Sequence, residues 1–178
     1  IMSQESPNDK GRVFSYQACV YGKMTKPGGD PVNDGDGLAN QCLNQLRQID
    51  NPEQFPPYLF VLLLSPAYLA KVKASHLVAG VHNRLIQNGM GDVPMIGSSV
   101  GGVIFDGDVH TEGALLICLA SRLSSVRVGH GLNARINGAG AVDALWNQLF
   151  VPLGESGELE RNLNPVGNRW LLTFLPGY

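Results

Sequence analysis

The sequence predicts an α/β fold: a mixed sheet with a parallel strand–helix–strand first half, an antiparallel second half, and helices packed on the sheet. Three observations predict it. In the first hundred residues, short apolar runs alternate with stretches whose apolar positions recur every 3.6 residues. After residue 97 that helical period disappears and extended segments separated by turn residues follow. The 22 glycines and 11 prolines imply many turns rather than a helical bundle.

Residues 12–22, RVFSYQACVYG, are β-branched and aromatic enough for a first strand, and KPGGDPVNDGDG (26–37) reads as a loop. From Asp36 the positions Leu38, Ala39, Cys42, Leu43, Leu46 and Ile49 follow the helical period. Asp34 or Asp36 can serve as N-cap and Pro52 lies just past the end, which predicts a helix over 36–49. Pro56-Pro57 interrupt the chain. YLFVLLL at 58–64 is a continuous apolar run, as in a central strand covered on both faces. Ser65-Pro66 ends it. Ala74, Leu77, Val78, Val81 and Leu85 share one stripe of a helix over 69–88, closed by Asn88-Gly89. Val93 to Gly97 is the next strand, so strand, helix and strand succeed one another as in a parallel crossover.

Beyond residue 97, segments 101–106, 113–121 and 124–135 read as extended, separated by DGD and RLSS turns. Ala141, Val142, Leu145, Trp146, Leu149 and Phe150 mark a helix over 139–150, followed by a polar loop at 154–168 and a last strand at 169–175. Residues 1–11 are expected to be a flexible N-terminal segment and 12–178 one domain. The chain ends just after a strand, which suggests a domain truncated before a neighbour. No internal repeat is present.

Composition excludes several classes of function. Lys and Arg number 13 against 15 acidic residues and are scattered, so the counterion release that drives nucleic-acid binding has no cationic cluster to draw on. No apolar run approaches the roughly 20 residues that cross a bilayer. Cys19, Cys42 and Cys118 are odd in number, far apart and without a CxxC, which points to reduced thiols and a cytoplasmic location.

The most informative stretch is PMIGSSVGGVIFDGDVHTEGALLICLAS (94–121). An apolar run enters a glycine–serine turn, returns extended and feeds a second buried run. Gly97, Gly101 and Gly102 permit φ > 0 and close approach to their amides, and Ser98 and Ser99 add donors and acceptors. The stretch resembles the signature of the FIST N-terminal domain (F-box and intracellular signal transduction proteins), which runs roughly Ile-Gly-Cys-Ser-Thr-Ala-Gly-Glu-Ile. The counterpart here is Ile96-Gly97-Ser98-Ser99-Val100-Gly101-Gly102-Val103-Ile104, then Glu112-Gly113-Ala114-Leu115-Leu116. Gly97, Ser99, Gly102 and Ile104 match, whereas Ser98, Val100 and Val103 stand where the family commonly has Cys, Thr and Glu. The resemblance implies a sensory domain that binds small molecules such as amino acids. It also implies a C-terminal FIST domain following this one, and an association with signalling or F-box proteins.

Ligands gather beyond the carboxyl ends of parallel strands. Ser65, Tyr68, Gly97, Ser98, Ser99, Val100, Gly101 and Gly102 are therefore expected to border one crevice, in which amides and hydroxyls hold a small polar or anionic ligand. Binding would then shift how this domain packs on its neighbour. Neither a cofactor, a metal nor a catalytic residue is expected. A protein-interaction module is the alternative function.

A serine hydrolase is the other alternative, since Gly97-Ser98-Ser99-Val100-Gly101 also fits G-x-S-x-G, but a strand rather than the required helix follows Ser99. Asp106, Asp108, His110 and Glu112 alternate at period two and would face one side of a regular strand, adjacent on one loop and without a distant partner ligand. His76 and His82, six apart on a helix, lie about 240° apart and cannot share an ion. NDGDG lacks the spacing of a calcium loop. Trp146, Trp170, Phe60, Phe150 and Phe174 are expected in the core, and Tyr68 and Tyr178 near strand ends.

Overall fold

In the computed structural model, which describes residues 12–14, 17–122, 126, 128–130 and 136–150, the chain divides between Val126 and Arg127 into two compact units. The first holds β1 (Arg12–Phe14), β2 (Gln17–Met24), α1 (Pro31–Arg47), a 3-10 turn (Pro52–Gln54) and β3 (Pro57–Leu64). It continues with α2 (Pro66–Lys71), α3 (Ala74–Gln87), β4 (Met95–Ser99), β5 (Val103–Phe105), β6 (Asp108–His110) and β7 (Ala114–Ala120). The second unit holds α4 (Gly138–Phe150), in which Asn137 Oδ1 accepts the Gly140 N–H and Gln148 bonds both main-chain groups of His130.

Five strands form one mixed sheet in the order β1-β2-β7-β3-β4. β7 runs antiparallel to both β2 and β3, and β3 pairs with β4 in parallel, so both halves of the expected sheet are present. Register sorts the side chains. Val20, Cys118 and Phe60 lie opposite one another, as do Gly22, Leu116 and Leu62, and all face the layer of α1 and α3. On the other face Tyr21, Leu63, Leu115 and Ile117 pack with Val103 and Phe105 of the separate β5–β6 hairpin, which closes a second, smaller core. This explains the unbroken apolar run of β3, whose Phe60, Val61 and Leu62 are all buried.

Several boundaries differ from the sequence reading. The expected first strand is two, β1 and β2, and the expected loop at 26–37 becomes helical at Pro31. Asp30 is the actual N-cap, its Oδ1 accepting the Val32 N–H at 3.0 Å, and Pro31 occupies the first helical position. Gly35 sits in the helix interior because α3 crosses there. A Cβ on it would press into the main-chain oxygen of Leu77 and come within 2.8 Å of the Val81 nitrogen. Gly80 meets Val32 of α1 in the same way, so each helix contributes the glycine that admits the other's backbone.

The helix expected over 69–88 is two helices. Ser65 caps α2, accepting the Tyr68 N–H on Oγ at 3.1 Å, and Val72 is extended (φ −136°, ψ 137°) before α3 begins. The Asn88-Gly89 stop is a Schellman motif: Gly89 lies at φ 72° with its N–H on Ile86 O, and the Met90 N–H reaches Leu85 O. Residues 124–135 give no strand among those described. The N-terminal segment 1–11, the loop at 154–168, the strand at 169–175, Trp170, Phe174, Tyr178 and the side chains of Trp146 and Phe150 lie outside the described residues.

Arg84 of α3 donates from Nε and Nη2 to the Asp36 carboxylate of α1, both at 2.7 Å. This hydrogen bonding, against a smaller desolvation cost, holds the Asp36 carboxyl below the usual range. A depressed folded pKa contributes stability above the unfolded value of about 3.9 and loses it as pH falls through the folded one. With the Asp36 side chain 37% exposed, Asp36→Asn is expected to cost only about 0.5 kcal/mol at pH 7 and nothing near pH 1, as read by urea melts at the two pH values.

The thiols divide by depth. Cys42 Sγ donates to Leu116 O at 3.0 Å, and burial pushes the Cys118 thiol up to about 12 and that of Cys42 well up too. Cys19 is half-buried. Iodoacetamide at pH 8 is expected to modify Cys19 in the native protein, and Cys42 and Cys118 only in denaturant. Mass spectrometry showing all three modified together under native conditions would contradict the buried placement.

Candidate functional site

The parallel pair β3–β4 delivers two carboxyl ends beside α2 and α3, and an open hollow of about 430 Å³ lies there. β3 contributes Leu62 and Leu64, and the helices contribute Leu69, Ala74 and Val78. The remaining wall is β4 from Met95 to Ser99. A volume of this size falls in the ordinary range for small-molecule sites.

Gly97, Ser98 and Ser99 therefore line the hollow, as the sequence suggests, although as strand and not as turn. Among the described residues the glycines at positive φ are Gly29, Gly89 and Gly107, so Gly97, Gly101 and Gly102 are not of that kind. Glycine at 97 answers a different need, since a Cβ there would sit 2.8 Å from the Leu62 carbonyl oxygen of the neighbouring strand. The Phe60 N–H donates to Pro94 O and the Val100 N–H to Leu64 O, both at 2.9 Å. In a parallel ladder these bonds alternate, so Ile96, Ser98 and Val100 turn their amides toward β3. Gly97 and Ser99 turn their N–H and C=O outward. Among the described residues no strand pairs with that edge. The Ser98 hydroxyl donates to the Ser99 carbonyl at 3.1 Å.

The other five expected residues are elsewhere. Ser65 is fully buried, capping α2 with its side chain while its N–H donates to Gly113 O. Tyr68 is fully buried too, its hydroxyl donating to Asp34 Oδ2 at 3.0 Å. Val100, Gly101 and Gly102 lead away from the hollow to the β5–β6 hairpin. Missing from the sequence reading were the helix residues Leu69, Ala74 and Val78. Their only signal was the apolar stripe that also marks core.

Asp34, which the sequence offered as a loop or N-cap residue, is a buried carboxylate with hydrogen bonds to two other segments. Asp34 is 6% exposed, accepts the Gly28 N–H on both oxygens and the Tyr68 hydroxyl on one, and so ties the 25–30 loop to α1 and α2.

The acidic alternation at 106–112 is not one strand face. Asp106 (φ 55°) and Gly107 (φ 85°) form the two-residue turn of the hairpin, both in the left-handed region that a type I′ turn requires. Asp106 then pairs with Lys23 and Glu112 with Lys71, while His110 stacks on Phe105 with ring centroids 3.9 Å apart. Among the described residues no group of three His, Cys, Asp or Glu side chains could hold a metal ion. His76 and His82 are both exposed on α3. Ser99 is followed by the hairpin strand β5, so the strand-to-helix turn of a nucleophile elbow is missing.

Fold and hollow together define a class: a mixed α/β domain with an apolar recess beside the edge of its sheet. No known family model matches the chain, and no curated protein matches it. Among the described residues no helix is long and apolar enough to cross a membrane.

Proposed function

We propose that the first unit is a small-molecule-sensing, non-enzymatic domain of an intracellular signalling protein, similar to the FIST N-terminal domain. The observation that carries this reading is the 430 Å³ hollow at the carboxyl ends of β3 and β4, whose wall includes Gly97, Ser98 and Ser99. The signature resemblance at 96–104 adds the expectation of amino acids or related small polar ligands, and three unpaired cysteines suit a cytoplasmic setting. A thermal-shift screen of amino acids, organic anions and uncharged aliphatic compounds tests it. A ligand at 100 times its dissociation constant adds about 2.7 kcal/mol.

The second reading is a protein-interaction module, with a signalling or F-box-linked protein as partner. Ile104 and Val109, cross-strand neighbours on the hairpin, are 68% and 65% exposed and give that reading its own observation. Absence of any stabilising compound in a broad screen would favour it over sensing.

A further inference from the structure

The chemistry of the hollow restricts its occupant more narrowly than the sequence does. The walls supplied by Leu62, Leu64, Leu69, Val78, Met95 and Ile96 are apolar, and among the described residues no charged side chain lines the hollow. A zwitterion or an anion placed between β4 and α3 would lose hydration without gaining a counter-charge, a large penalty for any ion. An aliphatic chain meets the opposite situation, because each methylene leaving water for these walls is favourable.

The polar side of the hollow is equally selective. Gly97 and Ser99 turn both N–H and C=O outward along the edge of β4, the Ser99 carbonyl already accepting the Ser98 hydroxyl on one of its two lone pairs. A carboxylate only accepts and an ammonium only donates, so either leaves half of this edge unmatched. A carboxamide does both without charge. Hence we infer that the hollow takes an uncharged aliphatic molecule with a donor–acceptor head, a carboxamide above all, its chain between α2, α3 and the sheet and its head on Gly97 and Ser99. This rests on the reading of the hollow as a ligand site and replaces the polar or anionic ligand expected from the sequence.

The test titrates the full chain with propanamide, butanamide and hexanamide, and in parallel with hexanoate and L-leucine, reading affinity by calorimetry and the Met95 methyl and the Gly97 and Ser99 amides by NMR. The amides are expected to tighten about fourfold per added methylene. Hexanoate and leucine are expected to bind at least ~10-fold more weakly than hexanamide, one hydrogen-bonded or charge mismatch being of that order. Ala74→Phe, which fills the hollow from α3, is expected to abolish hexanamide binding with the fold intact by circular dichroism. The wild-type NMR shifts carry the test if that variant misfolds. Leucine or hexanoate binding as tightly as hexanamide, and lost in Ala74→Phe, would overturn the uncharged class while leaving the site. Failure of every probe to perturb the wild-type Met95, Gly97 and Ser99 signals would overturn the proposal. A ligand from the wider screen that binds Ala74→Phe undiminished would overturn the sensing site itself.

Discussion

Gly35→Ala is expected to cost about 2–3 kcal/mol, or roughly 6–9 °C in melting temperature. The added methyl has no free direction, because it meets the Leu77 carbonyl and the Val81 nitrogen, main-chain atoms that belong to hydrogen-bonded turns of α3. Only separation of the two helices relieves the clash, and that would loosen Leu38, Leu77 and Val81, all fully buried around the crossing. Gly80→Ala, pressing on Val32 from the other side, should cost about as much. The double variant should cost less than the sum, since the first methyl already forces the helices apart. Gly37→Ala is the control. It lies two residues along the same helix with nothing within 4 Å of the would-be Cβ, and should stabilise by up to about 1 kcal/mol through helix propensity alone. Urea melts of the four proteins decide the matter. Equal, small effects at Gly35 and Gly37 would mean that the crossing yields cheaply.

Asp34→Ala should cost about 3 kcal/mol, because it strands the Gly28 amide and the fully buried Tyr68 hydroxyl together. Tyr68→Phe removes one donor and leaves Asp34 with its amide bond, so about 1–2 kcal/mol is expected. The pair also sets an alkaline limit. Burial first, then the hydrogen bond to Asp34 and its charge, raise the Tyr68 hydroxyl pKa well above the ordinary 10. Above pH 10 the unfolded chain therefore releases a proton that the folded one keeps. Stability from this source is complete below about pH 10 and lost as pH rises toward the folded value. Tyr68→Phe should flatten that alkaline decline in urea melts between pH 9 and pH 11.5. An identical decline in the variant would show that Tyr68 is not its source.

These two cases also show where the sequence was legible. YLFVLLL could be placed in the sheet interior because an uninterrupted apolar run has few other stable settings, and Asn88-Gly89 marked a helix end because the left-handed residue it needs is a glycine. The start of α1 was illegible for the same local reason. Gly35 and Gly37 lower helix propensity, and what restores the helix at Gly35 is α3, more than 40 residues away. Propensity cannot register a partner that far along the chain.

Legibility of the site followed the same division. Gly97, Ser98 and Ser99 could be placed beside the hollow because β3 and β4 were recognisable as parallel neighbours whose carboxyl ends meet. Ser65 and Tyr68 were misassigned because a hydroxyl at a strand end looks alike whether it faces a ligand or, as here, an N-cap and a buried carboxylate. The separation of the hairpin from the main sheet depended on Asp106 and Gly107 both taking positive φ, which the Asp-Gly pair permits but does not by itself announce.

The position of β7 governs how this unit must assemble during synthesis. Its register sets Ala120 opposite Ala18 of β2 and Leu119 opposite Leu59 of β3, so the middle of the sheet is the last of the described strands to leave the ribosome. Until then β2 and β3 each offer an unsatisfied flank to any neighbouring chain, and the sheet contacts formed early are the local ones, β1 with β2 and β3 with β4. Sequence-distant closure of this kind slows folding and lengthens exposure to aggregation. Nascent chains released before residue 120 should accordingly sediment as aggregates, whereas those released after it should not.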